Sequence, residues 1–118
     1  MDKDRLNDFG AYQKANELFD LVADDMTPLA RNPLCVRLIS QQIAAADSIA
    51  ANIDEGYGRG SKREFIQYLL IARGSAREVR GRYQRMHRWF TPAVVEARYA
   101  LTSEIIAILT ATIKKLRK

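Results

Sequence analysis

The stretch from Ser48 to Val79 constrains the fold more than any other part of the chain. An apolar-periodic run ends at Glu55, glycines at 56, 58 and 60 interrupt it, and a second run starts at once. Glycine tolerates the positive φ of a tight reversal, so Gly56, Gly58 and Gly60 predict a helix stop followed by a turn. Ser61 is placed to cap the next helix, and Glu64, three residues later, completes a Ser-x-x-Glu capping box. Together these residues predict a helical hairpin.

The remaining sequence extends the hairpin to four helices. Phe9, Tyr12, Ala15, Leu18, Phe19, Val22, Ala23 and Met26 recur at helical spacing and predict a first helix from about Phe9 to Met26. Pro28 and Pro33 then bracket a loop. A second helix carries Val36, Ile39, Ile43, Ala46, Ala50, Ile53 and Tyr57 as its seam, and a third carries Phe65, Leu69, Ala72, Ala76, Val79, Tyr83, Met86 and Phe90. Thr91-Pro92 opens the fourth, because proline is accepted in a first turn, and its seam is Val95, Tyr99, Thr102, Ile106, Leu109, Ile113 and Leu116. Short connections and the absence of any strand pattern predict an all-α, up-down-up-down antiparallel four-helix bundle, one domain over residues 1–118.

Small side chains on the hairpin, Ala44 to Ala46, Ala50 and Ala51 facing Ala72 to Ala76, predict a close approach of the two axes. A glycine inside a helix costs about 1 kcal/mol relative to alanine, so Gly74 is expected to make a tight contact. Asp47 and Asp54, seven residues apart, are expected to form salt bridges to the Arg63-to-Arg73 side of the third helix. Asn52 and Glu55 are expected to hold the Gly56–Gly60 backbone through their side chains. Cys35, the single cysteine, is expected to pack as a small hydrophobe.

Ser48-x-x-x-Asn52-Ile53-x-Glu55-Gly56-Tyr57-Gly58-Arg59, then Ser61-x-x-Glu64-Phe65, then Ala72-x-Gly74-Ser75-x-x-Glu78 closely resembles the signature of the bacterial four-helix-bundle proteins of the S23 type. These are encoded in intervening sequences of 23S ribosomal RNA genes and as free-standing genes, and the accessory variability proteins of diversity-generating retroelements look like relatives. The likeness covers nearly the whole chain, with Asp54 departing from a more usual alanine. It implies a small, cytosolic, non-enzymatic protein that assembles as a ring-like pentamer. In the retroelement relatives, basic surfaces bind nucleic acid and a reverse transcriptase.

Self-association is also expected from the residues. Leu101, Ile105, Ile108 and Thr112 form a second apolar stripe about 90° from the seam of the fourth helix, more than one core face needs. Ile66 and Leu70 similarly fall away from the third-helix seam. Leu101, Ile105, Ile108, Ile66 and Leu70 are therefore the candidate homo-oligomer interface, unless a wide core uses both stripes.

Charge is unevenly spread. Residues 1–34 carry seven acidic and four basic side chains, a balance of −3, whereas residues 57–90 carry nine basic and two acidic, a balance of +7. Lys114, Lys115, Arg117 and Lys118 close the chain. Arg63, Arg73, Arg77, Arg80, Arg85 and Arg88, with Lys114 and Lys115, are candidate contacts to the phosphates of RNA or DNA. The competing reading is a solvated face with salt bridges between subunits. Without a helix-turn-helix, zinc finger or RNP1 pattern, any such binding is expected to be independent of sequence. A protein partner such as a polymerase is the alternative use of the same face.

No catalytic set emerges. A di-iron bundle needs Glu-x-x-His pairs on two helices, and His87 is the lone histidine, with Gln84 three residues before it. The run Gly56–Gly60 follows a helix and lacks the Gly-Lys-Ser/Thr of a phosphate-binding loop. A non-enzyme without cofactor or metal is expected. No apolar run approaches the ~20 residues of a membrane span. One cysteine and a charged N-terminus without an apolar h-region fit the cytoplasm.

Overall fold

The structure, a computed structural model, describes residues 3–118, with side chains from Arg5 onward. Asp2 and the side chains of Lys3 and Asp4, part of the charge count above, lie outside the described residues. A short helix α1 (Lys3–Asn7) leads into four long ones: α2 (Gly10–Met26), α3 (Val36–Tyr57), α4 (Lys62–Arg85) and α5 (Pro92–Leu116). Ser61 caps α4, its Oγ accepting from the Glu64 N–H at 3.2 Å, and Thr91 caps α5 by accepting from the Val94 N–H at 3.3 Å. Pro92 stands in the first turn, where its missing N–H costs nothing.

Helix α2 packs on α3, α3 on α4, α4 on α5, and α5 back on α2. That closed cycle of sequence neighbours is the four-helix bundle, with extents of 45 × 21 × 21 Å. Its axis is filled by Leu18, Val22, Ile49, Ile53, Leu69, Val79, Leu109 and Ile113, all 2% exposed or less. Cys35 is buried as well. At the hairpin end, Phe9, Tyr57 and Phe65 stack in sequence, the latter two edge to face with centroids 5.2 Å apart.

Several expectations need correction. Helix α4 stops at Arg85 rather than at Phe90: Met86 takes φ −90° and ψ 13°, and His87–Trp89 forms a 3-10 turn. This reversal folds Phe90 back until its ring lies 5.5 Å from that of Tyr83. The buried stripe of α3 runs through Gln42, Ala45, Ala46, Ile49, Ile53 and Gly56, one position round from the expected seam, which leaves Val36 60% exposed. On α5 the buried residues are Thr102, Ile105, Leu109 and Ile113, while Tyr99 is 45% exposed.

The glycines act differently from the expectation. None has a positive φ among the described residues. Gly58 ends α3 at φ −79°, its N–H donating to the carbonyls of Asp54 and Glu55. Gly56 lies inside α3 and is buried, and a Cβ there would come 2.8 Å from Tyr68 Cβ and 3.0 Å from Phe65 Cδ1. The close contact expected of Gly74 therefore belongs to Gly56, whereas a Cβ on Gly74 would meet nothing within 4 Å.

Candidate functional site

Helix periodicity places Arg63, Arg77 and Arg85 on the side of α4 opposite its buried stripe. All three are exposed, and no hydrogen bond or ion pair engages them among the described residues. Arg88, expected on the same helical face, lies instead in the 3-10 turn with its guanidinium 5.7 Å from the centre of the Trp89 ring. Gly74 and Gly81 fall between the arginines of this face, and a Cβ at Gly81 would meet only the flexible end of Arg85, at 3.1 Å.

The other candidate arginines are tied to the protein itself. Arg73 donates to Thr110 Oγ1 at 3.2 Å, and Arg80 to Ser103 Oγ at 3.1 Å while lying 5.1 Å over the Tyr99 ring. Both clamp α4 to α5. Arg82 donates to Gln42 Oε1 at 2.9 Å, and Gln42, wholly buried, donates in turn to the Val79 carbonyl at 3.0 Å. A buried amide satisfied on both ends fastens α3 to α4.

Lys114 and Lys115 are exposed in the last turn of α5. Antiparallel packing returns that turn to the hairpin end, where Leu116 borders the same cavity as Arg59 and Lys62. Lys62, Arg63, Lys114 and Lys115 thus share one end of the bundle. Arg59 is paired there, with Nη2 2.6 Å from Glu55 Oε1 and 2.8 Å from the Tyr68 hydroxyl.

The hairpin motif works by other bonds than expected. Asn52 Nδ2 donates back along α3 to the Ser48 carbonyl at 2.7 Å and to Ser48 Oγ at 2.9 Å, and does not hold the glycines. Ser75 Oγ donates to Ser48 Oγ at 2.8 Å, so a hydroxyl pair joins the two helices where their side chains are small. Glu55 binds the Arg59 side chain rather than the Gly56–Gly60 backbone. Asp47 and Asp54 are exposed, and the ion pairs among the described residues are Lys14–Glu104, Arg59–Glu55 and Arg98–Asp25. The expected bridges across the hairpin are absent.

The candidate interface is corrected in part. Ile105 is 0% exposed in the core of this single chain, and Leu101, Ile108, Ile66 and Leu70 are half-buried against that core. Both apolar stripes of α5 are used by one wide core. Among the described residues, the large apolar side chains left exposed are Leu34, Val36, Ile71 and Tyr99.

One cluster had no sequence signal. Asp25 accepts from Arg98 Nε at 2.7 Å, from Arg98 Nη2 at 3.1 Å and from the Tyr83 hydroxyl at 2.6 Å. The Asp25 and Arg98 side chains are 13% and 14% exposed. The hydrogen bond to Asp25 raises the Arg98 pKa. Burial first, and then Asp25, push the Tyr83 phenol well above the ordinary tyrosine range. The cluster joins the end of α2 to α4 and α5.

Among the described residues no group of three or more His, Cys, Asp and Glu side chains converges as a metal site requires. Among the described residues no helix is long and apolar enough to cross a membrane.

Comparison with known proteins adds three findings. The sequence pattern of the 23S rRNA-intervening sequence proteins matches residues 7–111. A crystal structure of a protein of unknown function from the S23 ribosomal protein family of Bacteroides thetaiotaomicron VPI-5482 superposes with a TM-score of 0.82 at 24% identity, over 88% of this chain and 95% of that one. At that identity the likeness speaks for the fold alone. No curated protein matches the chain.

Proposed function

We propose, for a chain that belongs to the 23S rRNA-intervening sequence protein family, that it binds RNA or DNA without sequence preference and without catalysis, through the exposed cations of α4 and the end of α5. One observation carries the reading. Of the nine basic residues between positions 57 and 90, Arg59 alone meets a carboxylate among the described residues. Guanidinium groups in solvent, unpaired within their own chain, supply the attraction to a polyanion, which grows by counterion release with each phosphate neutralised. Arg63 to Arg85 spans about 33 Å of helix at 1.5 Å per residue. Arg73, Arg80 and Arg82, held by Thr110, Ser103 and Gln42, contribute packing first and charge second.

Self-association belongs to the same proposal, with the pentamer implied by the family resemblance as its form. Repetition of a modest charged surface around a ring would add avidity without new contacts. Leu34, Val36 and Ile71, 73%, 60% and 51% exposed, are the aliphatic side chains open to a second copy.

Gel-shift titrations at two salt concentrations test the reading. The wild type is expected to bind mixed RNA and DNA pools at about micromolar affinity near physiological salt. Arg63→Glu with Arg77→Glu should weaken every sequence alike and flatten the salt slope, while the fold survives because both side chains are exposed. Equal binding by wild type and double variant would overturn the assignment in favour of a protein-binding adaptor. Light scattering on the same samples should give a mass above the 13.4 kDa of one chain, and a monomer at micromolar concentration would remove the assembly.

A further inference from the structure

At the end of the bundle remote from the hairpin, the reversal after α4 leaves a cavity of about 440 Å³ between the end of α4 and the start of α5. Phe90, Pro92, Val95 and Tyr99 make it mainly apolar and aromatic, and Gln84, His87 and Glu96 add polar groups. Its size falls in the ~300–1,000 Å³ range of small-ligand clefts. Tyr99 is among the few large apolar side chains left exposed, at 45%. Part of its ring faces the cavity. The Arg80 guanidinium sits 5.1 Å from the ring centre, and Arg85 and Arg88, both exposed, adjoin Gln84 and His87 in sequence.

We propose that this cavity takes one unpaired nucleobase of a single-stranded RNA or DNA, stacked on the Tyr99 ring that Arg80 backs, with the flanking phosphates held by Arg85 and Arg88. The inference rests on the nucleic-acid reading above and deepens it by naming the form of the ligand. The chemistry matches on three counts. A base has a π face for an aromatic ring, and stacking tolerates any base. Its edge carries donors and acceptors that the Glu96 carboxylate and the Gln84 amide can meet, a carboxylate accepting from an exocyclic amino group. An internal base arrives with two phosphates. Arg80 over the Tyr99 ring, and Arg85 and Arg88 next in sequence to the lining residues Gln84 and His87, have no carboxylate partner among the described residues. A duplex offers the same phosphates but keeps its bases stacked and paired, so it can reach the arginines without entering the cavity.

Fluorescence anisotropy with a labelled single-stranded 12-mer and the matching duplex separates the cases, in wild type, Tyr99→Ala, Tyr99→Phe and the Arg63→Glu, Arg77→Glu pair. Tyr99→Ala should lose about 5- to 150-fold in affinity for the single strand, the span measured for removal of one stacking partner, and nothing for the duplex. Tyr99→Phe should retain both. Because Tyr99 is exposed, circular dichroism should show both variants folded. If Tyr99→Ala binds the single strand as tightly as wild type, or weakens both forms equally, the base pocket is wrong. The arginine reading still stands in that case, provided the charge-reversed pair loses both ligands. If wild type binds neither, both fall.

Discussion

Asp25 takes three hydrogen bonds from two residues that lie 58 and 73 positions away, and Tyr83 depends on it. Removing a hydrogen bond to a charged group costs about 1.5–3 kcal/mol, which sets the expected loss for Tyr83→Phe at pH 7. The pH dependence follows from the raised pKa of the folded phenol. Below the ordinary tyrosine value of about 10 the phenol is protonated in both states, and its contribution is fully present. Above that value the unfolded chain releases the proton and the folded chain keeps it, so stability falls by about 1.4 kcal/mol per pH unit. Urea denaturation at pH 7 and pH 10.5 should therefore show the gap between wild type and Tyr83→Phe closing, and a constant gap would disprove the linkage. Two glycines give an opposed pair. Gly56→Ala should destabilise the protein, since Tyr68 Cβ at 2.8 Å belongs to the rigid root of its side chain. Gly74→Ala, on a helix and in open space, should stabilise it by about 1 kcal/mol. Melting temperatures moving in the same direction would refute this assignment. A sequence marks that a glycine is present, but whether it serves φ or contact depends on a neighbour it does not name.

Among the elements, the helices themselves were plain to read. Ser61 as a cap, Pro92 in a first turn and the 3-4 spacing of Phe65, Leu69, Ala72, Ala76, Val79 and Tyr83 are local signals, and each reappears in the backbone or the core. Rotation about the helix axis was harder to read. Neighbouring residues on a helix differ by 100°, so Ile105 and Ile106 both fit a plausible seam, and only the position of α4 and α2 decides between them. The end of α4 was also hidden, because Met86 and Phe90 remain apolar and in period through a reversal of the chain. Ile105 carries the test at this scale. Ile105→Glu places an unpaired carboxylate in the core and should abolish the helical melting transition. A smaller but fully helical species would instead restore Ile105 to an interface between copies. The candidate cations show the same limit: composition revealed their number, but not that Arg73, Arg80 and Arg82 are engaged by their own chain.

The whole molecule is a rod with two unlike ends. Phe9, Tyr57 and Phe65 close one end, ringed by Lys62, Arg63, Lys114 and Lys115, whereas Asp25, Arg98 and Tyr83 close the other beside the cavity. Antiparallel neighbours oppose their helix dipoles, so the field at either end comes mainly from side chains. Trp89, the single tryptophan, sits half-buried in the 3-10 turn at the cavity end. Its position makes the chain self-reporting. Emission excited at the red edge of the indole band comes from that end alone, while far-ultraviolet ellipticity averages over every helix. Superimposable melting curves from the two signals would mark a rod that opens as one cooperative unit. An emission curve that runs ahead would show the tryptophan end loosening first, with the aromatic-sealed hairpin holding to the last.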